Sequence, residues 1–213
     1  MYVGRIVAIG RTGAGSLCAM YRVSSRSFPN RRAHAGEEAV SIIPKEGYEA
    51  DIQRNPYIAY NCLRLVGPYA VATNGAQTDP VTEKLAAGMS MRDGMVTALF
   101  GMDYEHDQLN TPRIAAVVKS GSNRGCLGIV RHDALLVREF ELDKNELFYL
   151  CTYEHNAPLD EYCDDAFDVS SAAEACRYIL GKGVFADKEK PISAACAVET
   201  GKDTFEVAAE DVS

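Results

Sequence analysis

The sequence holds one strongly cationic segment, residues 21–32, in a chain whose net charge is −8. This segment contains four arginines and no acidic residue, and three serines and an asparagine accompany them. Guanidinium groups can donate two parallel hydrogen bonds, so arginines beside hydroxyl groups are suited to bind a phosphate or another anion. A solvated edge strand protected by charged residues accounts for the same composition equally well, and the two interpretations stay open at this point.

Two further segments carry polar groups suited to recognition and acid–base chemistry. Residues 55–61 contain asparagine and tyrosine side chains whose amide and phenol groups can bind the edges of a polar heterocycle, although such residues also form ordinary turns. Residues 102–113 contain three acids, a histidine and a tyrosine between two predicted elements. We expect most of these side chains to be solvated, but one carboxylate facing an arginine across a pocket would form an acid–base pair.

Other motifs are weaker. Residues 10–16 have the spacing of a phosphate-binding loop but lack its lysine, so a hairpin connection is expected there. The seven cysteines form no CxxC pair and the four histidines have no ligand spacing, which predicts reduced, mostly buried thiols and no metal site. Cys18 and Cys62 lie in apolar runs, where a buried thiol is expected instead of a nucleophile.

The apolar pattern predicts an order of strands, helix, strands, helix and strands. The predicted strands cover residues 2–10, 17–25, 39–44, 62–74 (interrupted at 67–68), 113–119, 127–131, 135–142, 147–153, 192–198 and 204–207. One long amphipathic helix is expected from Asp79, as its N-cap before Pro80, to about Met102. A second helix is expected from the capping box at Ser171 through Leu180. Consecutive strands without intervening helices favour antiparallel sheets with helices on their faces, an α+β layered domain.

Length and composition indicate the class of protein. With 213 residues, 47% of them apolar and 24% charged, the chain is expected to form one globular domain over residues 1–213. The negative net charge argues against general nucleic-acid binding. No apolar run approaches the length of a membrane span and the N-terminus does not resemble a secretory signal, which predicts a cytoplasmic protein. The sequence neither requires nor excludes a homo-oligomer.

Four segments, in the same order, resemble the archaeal-type inosine-monophosphate (IMP) cyclohydrolases: YRVSSRSFPNR, NPYIAYNC, TNGAQTDP and MDYEHDQLNTPRIAA. The likeness is continuous from the N-terminus to about Ala116 and is looser beyond it. It implies the last step of purine nucleotide synthesis, in which a formylated aminoimidazole carboxamide ribonucleotide closes its second ring and loses water. It also implies a four-layer αββα sandwich of two mainly antiparallel sheets, like that of the N-terminal nucleophile hydrolases, with the pocket between the sheets.

The resemblance also implies the residues of the site. An arginine and a glutamate are the family's catalytic pair, and the matching positions are Arg31, expected to polarise the formyl oxygen, and Glu105, expected to move the proton. The candidates for binding the 5′-phosphate are Ser25, Arg26 and Arg113. The candidates for binding the imidazole carboxamide and the ribose are Tyr60, Asn61, Asn74, Gly75 and Thr111. The expected ligand is a purine ribonucleotide, and the chemistry requires no metal and no organic cofactor.

Two other functions stay open at this stage. One is an amide-bond hydrolase on the same layered fold with an internal serine or cysteine nucleophile, because a chain that begins Met1-Tyr2-Val3 offers no first-residue nucleophile. The other is a non-catalytic nucleotide-binding module in which the arginine segment only holds phosphate. The presence of both Arg31 and Glu105 favours an enzyme, because a phosphate-binding module gains nothing from a nearby carboxylate.

Overall fold

The computed structural model describes residues 1–212 and contains two antiparallel sheets. In spatial order the first sheet consists of β11 (Cys163–Asp164), β10 (Glu146–Cys151), β1 (Ile6–Arg11), β2 (Leu17–Ser24), β12 (Pro191–Gly201) and β13 (Thr204–Asp211). The second sheet consists of β3 (Arg31–Ala35), β4 (Ala39–Pro44), β5 (Tyr60–Val66), β6 (Tyr69–Thr73), β7 (Arg113–Lys119), β8 (Arg124–Val130) and β9 (Leu135–Glu141).

Helices cover the outer faces of both sheets. The α-helices are α1 (Asp51–Arg54), α2 (Thr78–Ala86), α3 (Met91–Met102) and α4 (Ala172–Gly181), and short 3-10 helices cover Pro56–Ile58 and Gly183–Phe185. Helices α2 and α3 pack on the second sheet, and α4 packs on the first. The α+β prediction of two antiparallel sheets is confirmed, whereas the likeness to N-terminal nucleophile hydrolases stays a prediction.

The largest core lies between the two sheets, because alternation along a strand sends every second side chain to the same face. On β2, Ala19, Tyr21 and Val23 pack against the opposite sheet, whereas Cys18 and Met20 pack beneath α4. Every residue of this strand is buried, since both faces of its sheet are covered. A polar side chain on the inner face is therefore removed from solvent by two sheets at once.

Arg22 is a fully buried arginine of β2 that holds the end of α4. Its Nη1 donates to the carbonyl oxygens of Ile179 and Leu180, both at 3.2 Å. Its Nη2 donates to those of Lys188 (2.6 Å) and Glu189 (3.1 Å). Carbonyl groups at the C-terminus of a helix lack intrahelical partners and favour a cation. Arg22 therefore has a structural role on the outer face of the sheet.

The predicted single helix from Asp79 to Met102 is wrong, because the chain forms α2 and α3 there. Gly88 has a φ of 88° between them, and Ser90 caps α3 by accepting a backbone hydrogen bond at 3.1 Å. A glycine in the left-handed conformation commonly ends a helix, and a serine commonly begins one. The helix is therefore interrupted between Gly88 and Ser90. The N-cap of α2 is Gln77, and Asp79 lies within its first turn.

The remaining predicted elements are present, with ends within four residues of the predicted ones. At α4, the Ser171 hydroxyl accepts from the Glu174 amide (3.2 Å), as the capping box predicts. The sequence analysis missed β3, α1 and β11, which are too short to show a period. Of these β3 matters most, since it begins at Arg31. No helix within residues 1–212 is long and apolar enough to cross a membrane.

Two glycine-to-alanine variants test the packing of α3 on the second sheet. A β-carbon on Gly128 of β8 would clash with the Met95 sulfur and lie 3.0 Å from Leu99 Cδ1, so we expect Gly128→Ala to lower the free energy of unfolding by about 1–3 kcal/mol. Gly101, on the exposed side of α3, has open space around it, and we expect Gly101→Ala to raise that free energy by about 0.5–1 kcal/mol. Urea unfolding measures both variants, and a shift of the same sign in both would contradict this packing.

Candidate active site

Glu105 lies in the loop between α3 and β7, and its side chain is fully buried. Neither of its carboxyl oxygens accepts a hydrogen bond from another residue of the described chain. Two arginines flank it: Arg5 Nη2 lies 4.0 Å from Oε2, and Arg113 Nη1 lies 3.8 Å from Oε1. Both distances exceed hydrogen-bond length, so the carboxyl is surrounded by positive charge and still has open acceptor positions.

Burial raises the pKa of Glu105 from 4.5 to about 7, although the guanidinium groups of Arg5 and Arg113 act in the opposite direction. The Arg31 guanidinium is also close enough to lower this pKa, by a smaller amount. A carboxyl whose pKa is near neutrality can both accept and return a proton, which is the requirement for general acid–base catalysis. A buried group without structural partners and with a shifted pKa is typical of a functional site.

Arg31 presents a second set of unpaired polar atoms. Its Nε donates to the Phe28 carbonyl oxygen (3.1 Å), whereas Nη1 and Nη2 are buried and have no partner among residues 1–212. Alternation along β3 puts Arg31 on the same face as Ala33, which packs against the core between the sheets. Burial lowers the pKa of Arg31, but an arginine stays charged near neutral pH. Its two free nitrogens are therefore available as donors.

The turn before β3 sets the direction of the Arg31 side chain. The Ser25 hydroxyl accepts from the Phe28 amide (3.0 Å), and the Arg31 amide donates to the Pro29 carbonyl oxygen (3.0 Å). The Phe28 carbonyl, fixed by this turn, is the acceptor of Arg31 Nε. Ser25 thus acts through the backbone on the residue that the sequence analysis named as catalytic.

Two tyrosines from opposite sheets meet beside these charges. The hydroxyl of Tyr21, on β2, lies 2.5 Å from the hydroxyl of Tyr60, on β5, and both rings are buried. Burial raises the pKa of both phenols, and the guanidinium groups of Arg5 and Arg31 act in the opposite direction on both. The structure thus brings together five side chains, which we call the central cluster: Arg5, Tyr21, Arg31, Tyr60 and Glu105.

The loop that carries Glu105 is closed by Asp107. Asp107 Oδ1 accepts from the amides of Leu109 (3.1 Å) and Thr111 (2.9 Å), and its Oδ2 accepts from the Thr111 hydroxyl (2.8 Å). The Glu105 amide donates to the Thr111 carbonyl oxygen (2.8 Å). Aspartate commonly binds backbone amides a few residues ahead in tight loops, so this pattern predicts a fixed backbone beneath Glu105.

Arg113 and Gly75 lie against the Glu105 carboxyl. Arg113 Nε donates to the Asp103 carbonyl oxygen (2.8 Å), and its Nη1 donates to Gln77 Oε1 (3.1 Å). A β-carbon on Gly75 would lie 2.9 Å from Arg113 Nη1 and 3.3 Å from Glu105 Oε1, so the close approach requires glycine. The predicted phosphate ligand Arg113 is therefore held beside the carboxyl by structural hydrogen bonds.

The two asparagine candidates are engaged in structural hydrogen bonds. Asn74 is buried, and its amide binds a backbone carbonyl (2.9 Å) and a backbone amide (2.7 Å). Asn61 binds the Ser41 hydroxyl (2.7 Å) and the Asp79 carboxylate (3.0 Å) of α2. Consecutive strand residues point to opposite faces, so Asn61 faces the helix layer while Tyr60 faces the other sheet. The structure does not bring Asn61 to the central cluster.

A cavity of about 190 Å³ opens to the surface beside the central cluster. Arg5 lines it, together with three residues that the sequence analysis named, Ser25, Arg26 and Thr111. The exposed Arg26 guanidinium lies 4.1 Å from the centre of the Tyr2 ring, at the outer part of this cavity. Some of the predicted residues therefore lie around the buried Glu105 and others line the opening. Asn61 belongs to neither group, because its side chain binds Ser41 and Asp79 on the helix side of the sheet.

Sequence reasoning missed Arg5 and Tyr21. Arg5 lies between Gly4 and the first residue of β1, where its amide donates to the Thr152 hydroxyl (3.1 Å). The available signal was an arginine in an apolar run, because an arginine is rarely buried without a partner or a function. Tyr21 carries no such signal, since an aromatic residue on a strand is ordinary core. Within residues 1–212, no cluster of histidine, cysteine or acidic side chains is placed to hold a metal ion.

The fold and the site together define a class of protein. It is an α+β sandwich that buries a carboxyl and a guanidinium, and within residues 1–212 the carboxyl oxygens and the two terminal guanidinium nitrogens have no hydrogen-bond partner. The chain belongs to the IMP cyclohydrolase-like family, whose model matches residues 2–203. It is similar to proteins named IMP cyclohydrolase from Methanosphaera stadtmanae (40% identical over 207 residues, 97% of this chain and 98% of the relative) and Methanocella arvoryzae (45% over 208 residues, 97% and 96%). A third relative of that name, from Halobacterium salinarum, is 42% identical over 177 residues, 83% of each chain. The family resemblance is confirmed, and it extends into the C-terminal third.

Glu105→Gln tests the raised pKa through folding stability. A carboxyl whose pKa is raised in the folded state stabilises the fold below its unfolded pKa of about 4.5, and this contribution is lost as the pH rises through about 7. We expect the free energy of unfolding of the wild type, relative to Glu105→Gln, to fall by about 3 kcal/mol over this interval. Urea unfolding at a series of pH values measures it. The matched control is Glu83→Gln, on the exposed face of α2, and a pH-independent difference for Glu105→Gln would contradict the raised pKa.

Proposed function

We propose that this protein is an IMP cyclohydrolase. It closes the second ring of 5-formamidoimidazole-4-carboxamide ribonucleotide and releases water to give IMP. The observation that carries the proposal is the pair of unpaired buried groups between the sheets, Arg31 and Glu105, in a chain that belongs to the IMP cyclohydrolase-like family. A buried charge without a structural partner is costly, and binding of a substrate supplies the missing partners.

The reaction sets two demands on the site. The carboxamide nitrogen is a poor nucleophile because its lone pair is delocalised, and the formamide carbon is a poor electrophile. Because both groups are attached to one rigid ring, the step is intramolecular, and orientation in a closed pocket supplies a large part of the rate. The remaining task is to control the charges that develop during attack, on the carboxamide nitrogen and on the formyl oxygen.

Glu105 and Arg31 divide this task. Glu105 accepts a proton from the carboxamide nitrogen, which attacks the formyl carbon, and the carbonyl electron pair moves onto the formyl oxygen. The free Nη1 and Nη2 of Arg31 donate to that oxygen as its charge develops. Glu105 then passes protons to the oxygen, one from the carboxamide nitrogen and one from the formamide nitrogen, and the oxygen leaves as water. Glu105 ends in its starting state, and its pKa of about 7 suits both directions of transfer.

The outer cavity suits the rest of the nucleotide. Ser25, Arg26 and Thr111 line the same cavity as Arg5. We propose that the exposed Arg26 guanidinium, which lies 3.6 Å from the Glu189 carboxylate, binds the 5′-phosphate. We also propose that residues 1–213 act as one domain, because both sheets contribute to the central cluster, and that its fold is that of the N-terminal nucleophile hydrolases. A cytoplasmic location, the use of no metal or organic cofactor and the absence of nucleic-acid binding stay predictions from the sequence.

The cysteine form of the hydrolase alternative finds little support in the arrangement of the thiols. All seven cysteines are free and six are buried, and no cysteine is among the residues that line the cavity beside Arg5. Burial raises the pKa of Cys18 and Cys62, which keeps these thiols protonated and weakly nucleophilic.

The ultraviolet absorbance of the forming purine, measured against a blank for the spontaneous reaction, tests the catalytic pair. We expect Glu105→Gln to lower kcat by roughly 10²–10⁴-fold, because glutamine cannot move the proton. Loss of a whole oxyanion donor typically lowers kcat by roughly 10²–10³-fold. We expect Arg31→Lys to lower kcat by less than this, because lysine keeps the positive charge but lacks the planar guanidinium. Glu83→Gln and Arg124→Lys, both exposed, are the matched controls. Wild-type turnover by folded Arg31 and Glu105 variants would refute the assignment.

Thiol alkylation separates the cyclohydrolase from a cysteine hydrolase. We expect iodoacetamide to modify chiefly Cys163, the one cysteine that is not buried, and to change the cyclohydrolase rate by no more than about twofold. Mass spectrometry of the native protein counts the modified thiols, and the absorbance assay follows the rate. Loss of activity in step with modification of a buried cysteine would favour the hydrolase.

A further inference from the structure

Arg5 is the member of the central cluster that also lines the open cavity. Its side chain is about nine-tenths buried, and its Nε has no hydrogen-bond partner among the described residues. Its Nη2 lies 4.0 Å from Glu105 Oε2. Arg5 therefore lies between the cavity that a substrate can enter and the Glu105 carboxyl, which accepts the proton in the proposed reaction.

The two arginines beside Glu105 differ in what they can still bind. Arg113 is committed to the Asp103 carbonyl oxygen and to the Gln77 side chain, and it does not line the open cavity. Arg5 makes no side-chain hydrogen bond with any residue of the described chain, and its only close charged partner is Glu105 at a distance too long for one. Within residues 1–212, all three guanidinium nitrogens of Arg5 are therefore without a hydrogen-bond partner, whereas in Arg113 only Nη2 is.

We propose that Arg5 is a third catalytic residue, which donates a hydrogen bond to the carboxamide oxygen of the substrate while Glu105 acts on the carboxamide nitrogen. The inference rests on the proposed function. A primary carboxamide presents an N–H donor and a C=O acceptor side by side. The carboxylate of Glu105 and the guanidinium of Arg5 present the complementary acceptor and donor, also side by side.

The contact would act on the first chemical step. When the carboxamide nitrogen gives its proton to Glu105, negative charge spreads from that nitrogen onto the carboxamide oxygen. A guanidinium donor on this oxygen stabilises that charge and makes the N–H more acidic. The nitrogen lone pair then forms the bond to the formyl carbon, and the carboxamide oxygen is kept as the carbonyl oxygen of the product. Each developing charge thus has its own cation, Arg5 at the carboxamide and Arg31 at the formyl group.

The position of Arg5 favours the carboxamide over the phosphate. A phosphate held by Arg5 would lie next to the Glu105 carboxyl, and two like charges at that distance in a buried site repel strongly. Arg26, at the outer part of the same cavity, lies 3.6 Å from the Glu189 carboxylate, but both of these side chains are at least half exposed. Solvent therefore screens the Glu189 charge, whereas it cannot screen the buried Glu105 carboxyl in the same way. The more buried cation is therefore assigned to the neutral carboxamide.

Arg5→Met and Arg5→Lys test the assignment, with the exposed Arg124→Met as control. We expect Arg5→Met to lower kcat by about 10²-fold at saturating substrate, and Arg5→Lys to lower it less, because a charged donor remains. Infrared spectra of bound IMP labelled with ¹³C at the carbonyl carbon give a signature of the contact itself. We expect the carbonyl stretch to move to higher frequency in Arg5→Met, while the ³¹P resonance of bound IMP stays unchanged.

Each other outcome overturns the inference. A wild-type kcat and carbonyl frequency in Arg5→Met would remove Arg5 from the reaction, and a shifted ³¹P resonance with an unshifted carbonyl would make it a phosphate ligand. Circular dichroism checks the fold, and if Arg5→Met does not fold, the same spectra on Arg5→Lys decide. A wild-type protein that fails to convert the formylated substrate would refute the proposed function itself, and the Arg5 assignment with it. Active wild type with fully active Arg5 variants would refute the Arg5 assignment alone.

Discussion

The structure depends on burying ionisable groups close to one another without hydrogen bonds between them. Within residues 1–212, the buried side-chain polar atoms that lack a partner belong to Arg5, Arg31, Glu105 and Ser193. Three of these four residues lie in the central cluster, where a carboxyl sits 4.0 Å from one guanidinium and within the field of another. Hydrogen bonds between these groups would stabilise the fold, but they would occupy the donors and acceptors that are needed to bind the substrate. The observed spacing keeps the charges close enough to tolerate burial and far enough apart to leave a ligand room.

The packing of the surrounding fold offsets the free energy that burying these groups costs. Two sheets, each covered on its outer face by helices, provide three apolar layers that hold the central cluster in place. Outside the cluster, Ser193 Oγ is the one buried side-chain polar atom without a partner within residues 1–212, whereas Arg22 binds the free carbonyls after α4 and Asp107 closes the loop beneath Glu105. The missing side chain of Gly75 lets the carboxyl and Arg113 approach the backbone. Rigidity of this kind matters for an intramolecular ring closure, where orientation supplies much of the rate.

The fold and the chemistry are separable in this protein. A layered sandwich does not by itself determine the chemistry, and what distinguishes this chain is the set of groups at its centre. Burial raises the pKa of Cys18 and Cys62, so these thiols stay protonated and weakly nucleophilic. Cations and one carboxyl of near-neutral pKa remain. Such groups suit a reaction in which the substrate supplies both nucleophile and electrophile, and the protein manages only charge and protons.

The sequence by itself determined the α+β class, most of the strands and the start of α4, because alternating apolar residues and the Ser171 capping box are local signals. Through its motifs it also indicated the family and the pair Arg31 and Glu105. Only the tertiary structure decided the break at Gly88, the outward direction of Asn61 and the presence of Arg5 and Tyr21 in the site. The physical reason is that the site is built from both sheets. Whether Arg5 and Glu105 come into contact depends on how the two sheets stack and on which face of its sheet each side chain points to. Neither can be read from the spacing of residues along the chain.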